Sequence, residues 1–383
     1  MPRKENILLV ANWASDVGYA WWLMENFWVA ISDHFKKYGI DCYLIYPVIT
    51  SIPDAIGSSD INTIELDFKN RSLPSLKKLY RLINKENIRY VYLTDSPSYS
   101  LFYILLRFWG IKVIVVHDHT PGDRTTPSAI KSWLKSLIQR MPLITADHFI
   151  AATGFVYQRL IQVACIPENK CSCATNGIDP INLDNYDDKY AHKTFSIPQN
   201  RNIIVTTGRA SYYKGIDFFI ECANILANEL SKNDLHFLYC GTGPDIDDFE
   251  TLVDKYNLND YFTFAGNRSD VRKILPSCYI GFHAATGEVG YSLSILEYMS
   301  AGLLTIVPDR PSTSLATRNL ETGFLYEYRD AASAIEAILC AASYEGADII
   351  RINAINEIQK KYDINDTKRR LVNILSPLFQ QSK

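Results

Sequence analysis

No apolar run in this chain is long enough to cross a bilayer. The longest, Leu101 to Val116, is broken by Arg107 and Lys112 and falls short of the roughly 18 apolar residues a spanning helix needs. The N-terminal MPRKENILLVAN turns from basic to apolar but runs into a polar turn without a cleavage site, so it reads as a first strand and not a signal peptide. Positive charge is not in excess either. With 39 Lys and Arg against 42 Asp and Glu, the net charge of −3 excludes a general attraction to nucleic acid, and any anion site must be built locally. Cysteine pairs are missing. Of eight cysteines, Cys42, Cys165, Cys222, Cys240, Cys278 and Cys340 fall in segments that read as core, and only Cys171 and Cys173 are close together. One C-x-C without a second pair is poor evidence for zinc, and a reducing, cytoplasmic compartment is the simplest reading. No G-x-G-x-x-G follows the first strand, which counts against a nicotinamide dehydrogenase.

What is present is length and a large core. At 383 residues and 47% hydrophobic content, two domains are expected, and with them a cleft. Short β-rich runs (Ile7–Ala11, Cys42–Tyr46, Val91–Thr94, Val113–Val116) alternate with helical stripes such as Met24, Phe27, Trp28, Ile31 and Phe35. Continuous apolar strands separated by helices indicate a parallel sheet covered on both faces, hence a doubly wound α/β domain over 1–180. The polar stretch 181–200 reads as a linker. A second doubly wound domain is expected over 201–360, and 361–383 as a final helix packing back toward the first domain.

In open α/β sheets ligands bind at the carboxyl ends of the strands. After the strand IIVTT comes GRASYYKG, Gly208 to Gly215. Its Arg209 and Lys214 open a helix and can turn toward one diphosphate, or can equally be a solvated basic pair. Further on lies GEVGYSLSILEYMSAG, Gly287 to Gly302. Here Glu288 sits in a glycine-flanked loop, Ser292, Leu293 and Ser294 begin a helix whose amides suit a phosphate, and Glu297 lies among apolar neighbours.

The order GR-x4-K-G, then LYCGTGPD, FAGNRSDV and E…SLSILEYMSAG, preceded by ADHFIAAT and ATNGIDP, resembles the retaining glycosyltransferases of family 4 along nearly the whole chain. The resemblance implies the GT-B fold, two Rossmann-like domains facing across a cleft. It also implies transfer of a hexose-type sugar from a nucleotide diphosphate donor to a glycan or lipid-linked glycan, in envelope or extracellular polysaccharide synthesis. Arg209 and Lys214 would bind the diphosphate and Glu297 the ribose. Gly208, Gly241 and Gly243 would let backbone approach the nucleotide, and main chain near Asn267 and Arg268 would meet the base. The family spaces its two glutamates by seven residues, whereas eight lie between Glu288 and Glu297; Gly290 is expected to absorb the extra residue so that Glu288 still reaches the sugar.

In the first half, VVHDHTPGDR offers His117 as the histidine that approaches the transferred sugar, with His119 as second choice. The loop NWASDVGYA keeps only Gly18 of the family's glycine pair, and Asp16 and His119 are acceptor-side candidates. The implied mechanism needs no enzymic nucleophile and no metal: the leaving diphosphate helps deprotonate the acceptor. The D-x-D formed by Asp245 and Asp247 is expected to cap a helix instead of holding a cation. A nucleotide-sugar epimerase and a non-catalytic nucleotide- or glycan-binding protein are the alternatives. The stripe Ile130, Trp133, Leu134, Leu137 and Ile138, flanked by Lys131, Lys135 and Arg140, either packs on its own sheet or rests peripherally on an anionic membrane.

Overall fold

The computed structural model describes residues 4–17 and 21–380, and they form two compact units. Of the described residues, the first comprises 4–17, 21–120, 124–176 and 365–380; the second comprises 177–364 together with Pro121–Asp123. Each is built on one parallel sheet.

In the first unit the strands are β1 (Asn6–Val10), β2 (Cys42–Tyr46), β3 (Asn62–Glu65), β4 (Ile88–Thr94), β5 (Val113–Asp118), β6 (His148–Ala151) and β7 (Cys171–Cys173), in the order β3-β2-β1-β4-β5-β6-β7. The second unit has β8 (Asn202–Thr207), β9 (Leu235–Cys240), β10 (Phe262–Phe264), β11 (Ile280–Phe282), β12 (Leu304–Pro308) and β13 (Phe324–Tyr326), in the order β10-β9-β8-β11-β12-β13. Strand order therefore reverses between β1 and β4 in one sheet and between β8 and β11 in the other. These reversals open crevices at the carboxyl ends of the strands.

Both faces of the second sheet are covered, because alternate residues of one strand enter different cores. Ile204, Phe237 and Tyr239 join Phe218, Phe219 and Phe282 on one side, while Ile203, Val205, Leu238 and Cys240 join Tyr298 and Leu303 on the other. Nearly continuous apolar runs made these central strands legible. The edge strands β3 and β13 were not, since NTIE is largely polar and half-exposed and FLY is only three residues long.

The segment 181–200 departs from the expected linker. It carries a helix, Tyr190–Phe195, and buries Ile181, Ala191 and Ile197 in the second unit's core. Three well-spaced apolar residues anchor it despite its polar composition. The chain enters and leaves the second unit along adjacent backbone: Ile178 N donates to Tyr362 O at 2.8 Å and Ile364 N to Ile178 O at 2.9 Å. At this crossing Gly177 admits no side chain, because a Cβ would collide with the Tyr362 carbonyl. The first unit then recovers the chain in the helix Ile364–Phe379, where Phe379 stacks on Tyr90 and Ser376 meets His34.

Two cysteines assigned to core by pattern lie elsewhere: Cys340 is exposed and Cys165 partly so, and all eight are free thiols. The stripe on the helix Ala129–Gln139 does not pack on its sheet; its only buried residue is Gln139. Among the described residues no helix is long and apolar enough to cross a membrane.

Candidate functional site

The second unit's crevice gathers the loops that follow β8 and β11. Gly208 leaves β8 with φ +146°, and Gly215 starts the helix Ile216–Asn224 with φ +72°, its Cα pressed so close to the Ala284 carbonyl that no Cβ fits. Between them the turn Tyr212–Lys214 is stitched to the second loop: Thr286 N donates to Tyr213 O at 2.8 Å, and the Tyr213 hydroxyl donates to Gly287 O. This brings Lys214 Nζ to 2.5 Å from Glu288 Oε1.

Glu288 is buried, and His283 Nε2 lies 3.5 Å from the same oxygen. Burial alone would raise the Glu288 pKa, but the Lys214 charge and the His283 contact outweigh it and hold the carboxyl at about 2. Its backbone is fixed by Glu288 N and Gly290 N, which both donate to Ser312 O, and Gly290 turns with φ +115°. Arg209 is exposed on the β8 loop.

Past the glutamate, Ser292 caps the helix Leu293–Ser300 by accepting from Ile295 N. The amides of Leu293 and Ser294 belong to the first turn, which has no intrahelical acceptors, so the helix end presents partial positive charge. Ser294 Oγ donates to Thr207 O at 3.2 Å, tying this end to the tip of β8. One turn later Glu297 is partly buried, and burial, only weakly opposed by Arg272, raises its pKa to about 7.

The β9 loop packs directly on the β8 loop. Gly208 N donates to Cys240 O and Ala210 N to Thr242 O. A Cβ on Gly241 would overlap the Gly208 carbonyl, and one on Gly243 would come within 2.5 Å of the Ala210 carbonyl. Both glycines thus serve backbone-to-backbone packing of two loops, a reason the sequence did not reveal. Gly241→Ala is expected to lower the thermal unfolding midpoint by several degrees, equivalent to about 2 kcal/mol; an unchanged midpoint would show that the two loops separate freely. Asp245 also differs from expectation. Its side chain caps no helix of its own and instead accepts from Tyr212 N at 2.9 Å, buttressing the turn that holds Lys214. At the neighbouring β10 end, Asn267 is exposed, and the Arg268 guanidinium is engaged by both oxygens of Asp270.

In the first unit the candidates lie beyond β1, β4 and β5. His117 is fully buried; its Nδ1 is 2.5 Å from the Tyr92 hydroxyl and its ring stacks on Phe27. Burial, with His119 adding to it, lowers its pKa well below the usual value, so the ring is neutral at neutral pH. His119 packs against it at 4.1 Å between centroids and is partly exposed, its amide held by Asp95 Oδ1 at 2.6 Å. Asp95 adopts φ +47°, and burial raises its pKa. Asp118 pairs with Arg159 at 3.3 Å. Asp16 is exposed, and Gly18 lies outside the described residues.

Sequence reasoning missed His283 and Asp95. Each is a titratable group at a strand end beside a reversal of strand order, and that position was the signal available.

Comparison with known proteins follows this division of the chain. Residues 24–181 match the model described as Glycosyltransferase Family 4, and residues 201–343 match Glycosyl transferases group 1. A curated relative from Escherichia coli, UDP-Gal:alpha-D-GlcNAc-diphosphoundecaprenol alpha-1,3-galactosyltransferase, is 24% identical over 300 residues, covering 77% of this chain and 76% of its own. A solved glycosyltransferase from Rickettsia africae ESF-5 superposes with a TM-score of 0.78 at 19% identity, covering 99% of this chain and 100% of that one. Anabaena Alr3699/HepE, solved with UDP and glucose, gives 0.75 at 15% identity, covering 97% and 100%. The shared fold is GT-B.

Proposed function

Because the chain belongs to glycosyltransferase family 4, we propose that this glycosyltransferase is a retaining, metal-independent hexosyltransferase that takes its sugar from a nucleotide diphosphate donor. The acceptor in this reading is a glycan or lipid-linked glycan, and the work is cytoplasmic polysaccharide assembly. The observation that supports it most is the 2.5 Å contact between Lys214 and Glu288, drawn from the loops on either side of the β8/β11 reversal. In this reading the cation meets a phosphate and the carboxylate a sugar hydroxyl beside it.

In this reading Lys214, Arg209 and the amides of Leu293 and Ser294 receive the diphosphate, and Glu288 accepts hydrogen bonds from sugar hydroxyls. Glu297 takes the ribose diol. As the glycosidic bond breaks, negative charge grows on the diphosphate, and each preorganised donor facing it contributes on the order of 3 kcal/mol. The departing phosphate oxygen takes the acceptor proton on the same face, which retains the anomeric configuration. In this reading the charge on the leaving group is met by Lys214 and Arg209, and Asp245, which accepts from the Tyr212 amide, supports the turn that holds Lys214. On the same reading, His117 approaches the transferred sugar and His119 beside it serves the acceptor side.

The relative's name makes UDP-galactose the first donor to try, beside UDP-glucose, GDP- and ADP-sugars, each with and without EDTA and with a lipid-diphosphate-linked N-acetylglucosamine acceptor. Nucleoside diphosphate release from one donor that survives EDTA, with product NMR showing a retained anomer, is the expected result. Release abolished by EDTA sinks metal independence. Tight binding of a donor without release indicates a binding protein, and interconversion of the sugar without release indicates an epimerase.

A further inference from the structure

The stretch 283–292 joins β11 to the helix Leu293–Ser300 and contains no strand or helix of its own. Glu288 lies in its middle, so no regular ladder of hydrogen bonds sets the place of its carboxylate. The loop is held instead by groups from elsewhere in the second unit. Ser312 O receives Glu288 N at 3.0 Å and Gly290 N at 2.9 Å, and Gly290 O receives Leu315 N at 2.9 Å. Thr286 O accepts from Arg310 Nη1 at 2.7 Å, and Gly287 O accepts from the Tyr213 hydroxyl. Glu288 O accepts from Gly122 N at 3.0 Å.

Two of these supports converge on one carboxylate oxygen. Asp123 Oδ2 accepts from Ser312 Oγ at 2.9 Å and from Arg310 Nη2 at 2.5 Å. Ser312 is fully buried, and the Arg310 guanidinium lies 4.4 Å over the Tyr328 ring, so both donors are aimed by their surroundings. Gly122, the preceding residue, packs so close that a Cβ on Gly287 would come to 3.0 Å from its Cα. The Asp123 side chain itself is 37% exposed. An ion pair that is partly in water contributes little to global stability. What Asp123 does is local: it ties the side chain that grips Thr286 O to the residue whose carbonyl grips Glu288 N. A displacement of about 1 Å in a group that meets a reacting substrate costs about a hundredfold in rate.

We propose that Asp123 is a positioning residue: by holding Arg310 and Ser312 together it fixes the loop 286–290 and thereby the place of the Glu288 carboxylate. This rests on the reading of Glu288 as the group that meets the donor sugar. Hydrogen exchange of the full chain, followed in peptides spanning 284–292, reads the loop without any substrate. Asp123→Ala is expected to speed exchange there about tenfold, while the thermal midpoint and the exchange of β8 and β11 stay as in wild type. Nucleoside diphosphate release from the panel of UDP-, GDP- and ADP-sugars reads the consequence. The kcat of Asp123→Ala falls about tenfold to a hundredfold and the donor KM stays within about threefold, because the nucleotide contacts are untouched. Added to Glu288→Gln, the same change slows release no further, since it acts through the carboxylate. Asp123→Asn keeps a carbonyl oxygen for both donors, so its exchange and its kcat should stay within about threefold of wild type. Wild-type exchange in Asp123→Ala overturns the proposal, whatever the donor. So does an Asp123→Asn variant as impaired as Asp123→Ala, or a double variant slower than Glu288→Gln alone, which would give Asp123 a substrate contact of its own. Wild-type release by Glu288→Gln is a separate failure, that of the donor-site reading, and is recognised by a loop that still loosens in Asp123→Ala.

Discussion

Lys214→Ala is expected to lower donor cleavage by about a hundredfold to a thousandfold, the effect of removing one preorganised donor from a developing anion, and to destabilise the fold as well. Its partner Glu288 is buried, and without the cation 2.5 Å away the carboxylate is left with the His283 ring at 3.5 Å. Leaving such a charge unpaired costs about 3 kcal/mol. The loss carries a pH signature. In the wild type the Glu288 pKa is depressed from 4.5 to about 2, so the stability it contributes is present above 4.5 and disappears as pH falls toward 2. The gap between wild type and variant is therefore widest near neutrality and narrows in acid, as chemical denaturation at both ends of this window would register. Lys214→Met combined with Glu288→Gln should restore most of the stability and none of the activity. Near wild-type donor cleavage by Lys214→Ala would remove Lys214 from the diphosphate site.

Glu297→Gln should produce the opposite signs: a more stable protein at alkaline pH that binds donor less well. Burial moves this carboxyl from 4.5 to about 7, so its contribution to stability is fullest below 4.5 and is lost as pH rises through 7. A neutral amide avoids that loss. The variant should match wild type at about pH 5 and exceed it by about 2 kcal/mol at about pH 8, a value discounted from the full shift because solvent reaches the side chain. Donor binding reports the role. A ribose diol is received best by the ionised, acceptor-only carboxylate, so wild-type donor affinity should rise with pH through 7, whereas the variant should bind about tenfold more weakly and without that slope. A wild-type affinity that stays flat across the same range would exclude Glu297 from the ribose site.

How far the site could be read beforehand differed between the two units. Lys214 and Glu288 stood out because loops after apolar strands carried charge beside glycine, and Glu297 because apolar residues surround it in the helix that follows. The pattern did not disclose that Lys214 and Glu288 would pair, since they are 74 residues apart and meet only because β8 and β11 are neighbours in the sheet. Nor did it disclose His283, whose place in an apolar strand end looks structural until the sheet order puts it beside Glu288. In the first unit the two histidines were visible, but their surroundings were not. Tyr92 on β4 and Phe27 on a helix enclose His117, Phe27 also lies beside His119, whose ring nitrogens are buried, and neither neighbour is near in sequence.

By itself the sequence determined the two parallel sheets, their central strands and the loops that hold the charged residues. Those properties follow from local composition, from apolar runs long enough for a buried strand and from glycine where the backbone turns tightly. Tertiary structure alone decided the rest: the packing role of Gly241 and Gly243, the redirection of Asp245 to a neighbouring turn, the anchoring of 181–200, and the opposite pKa shifts of Glu288 and Glu297. It also decided that the stripe on Ala129–Gln139 finds no sheet to cover. Each depends on which segments lie within a few ångströms of one another, and that is fixed by strand order and burial, long-range quantities that no window of neighbouring residues contains.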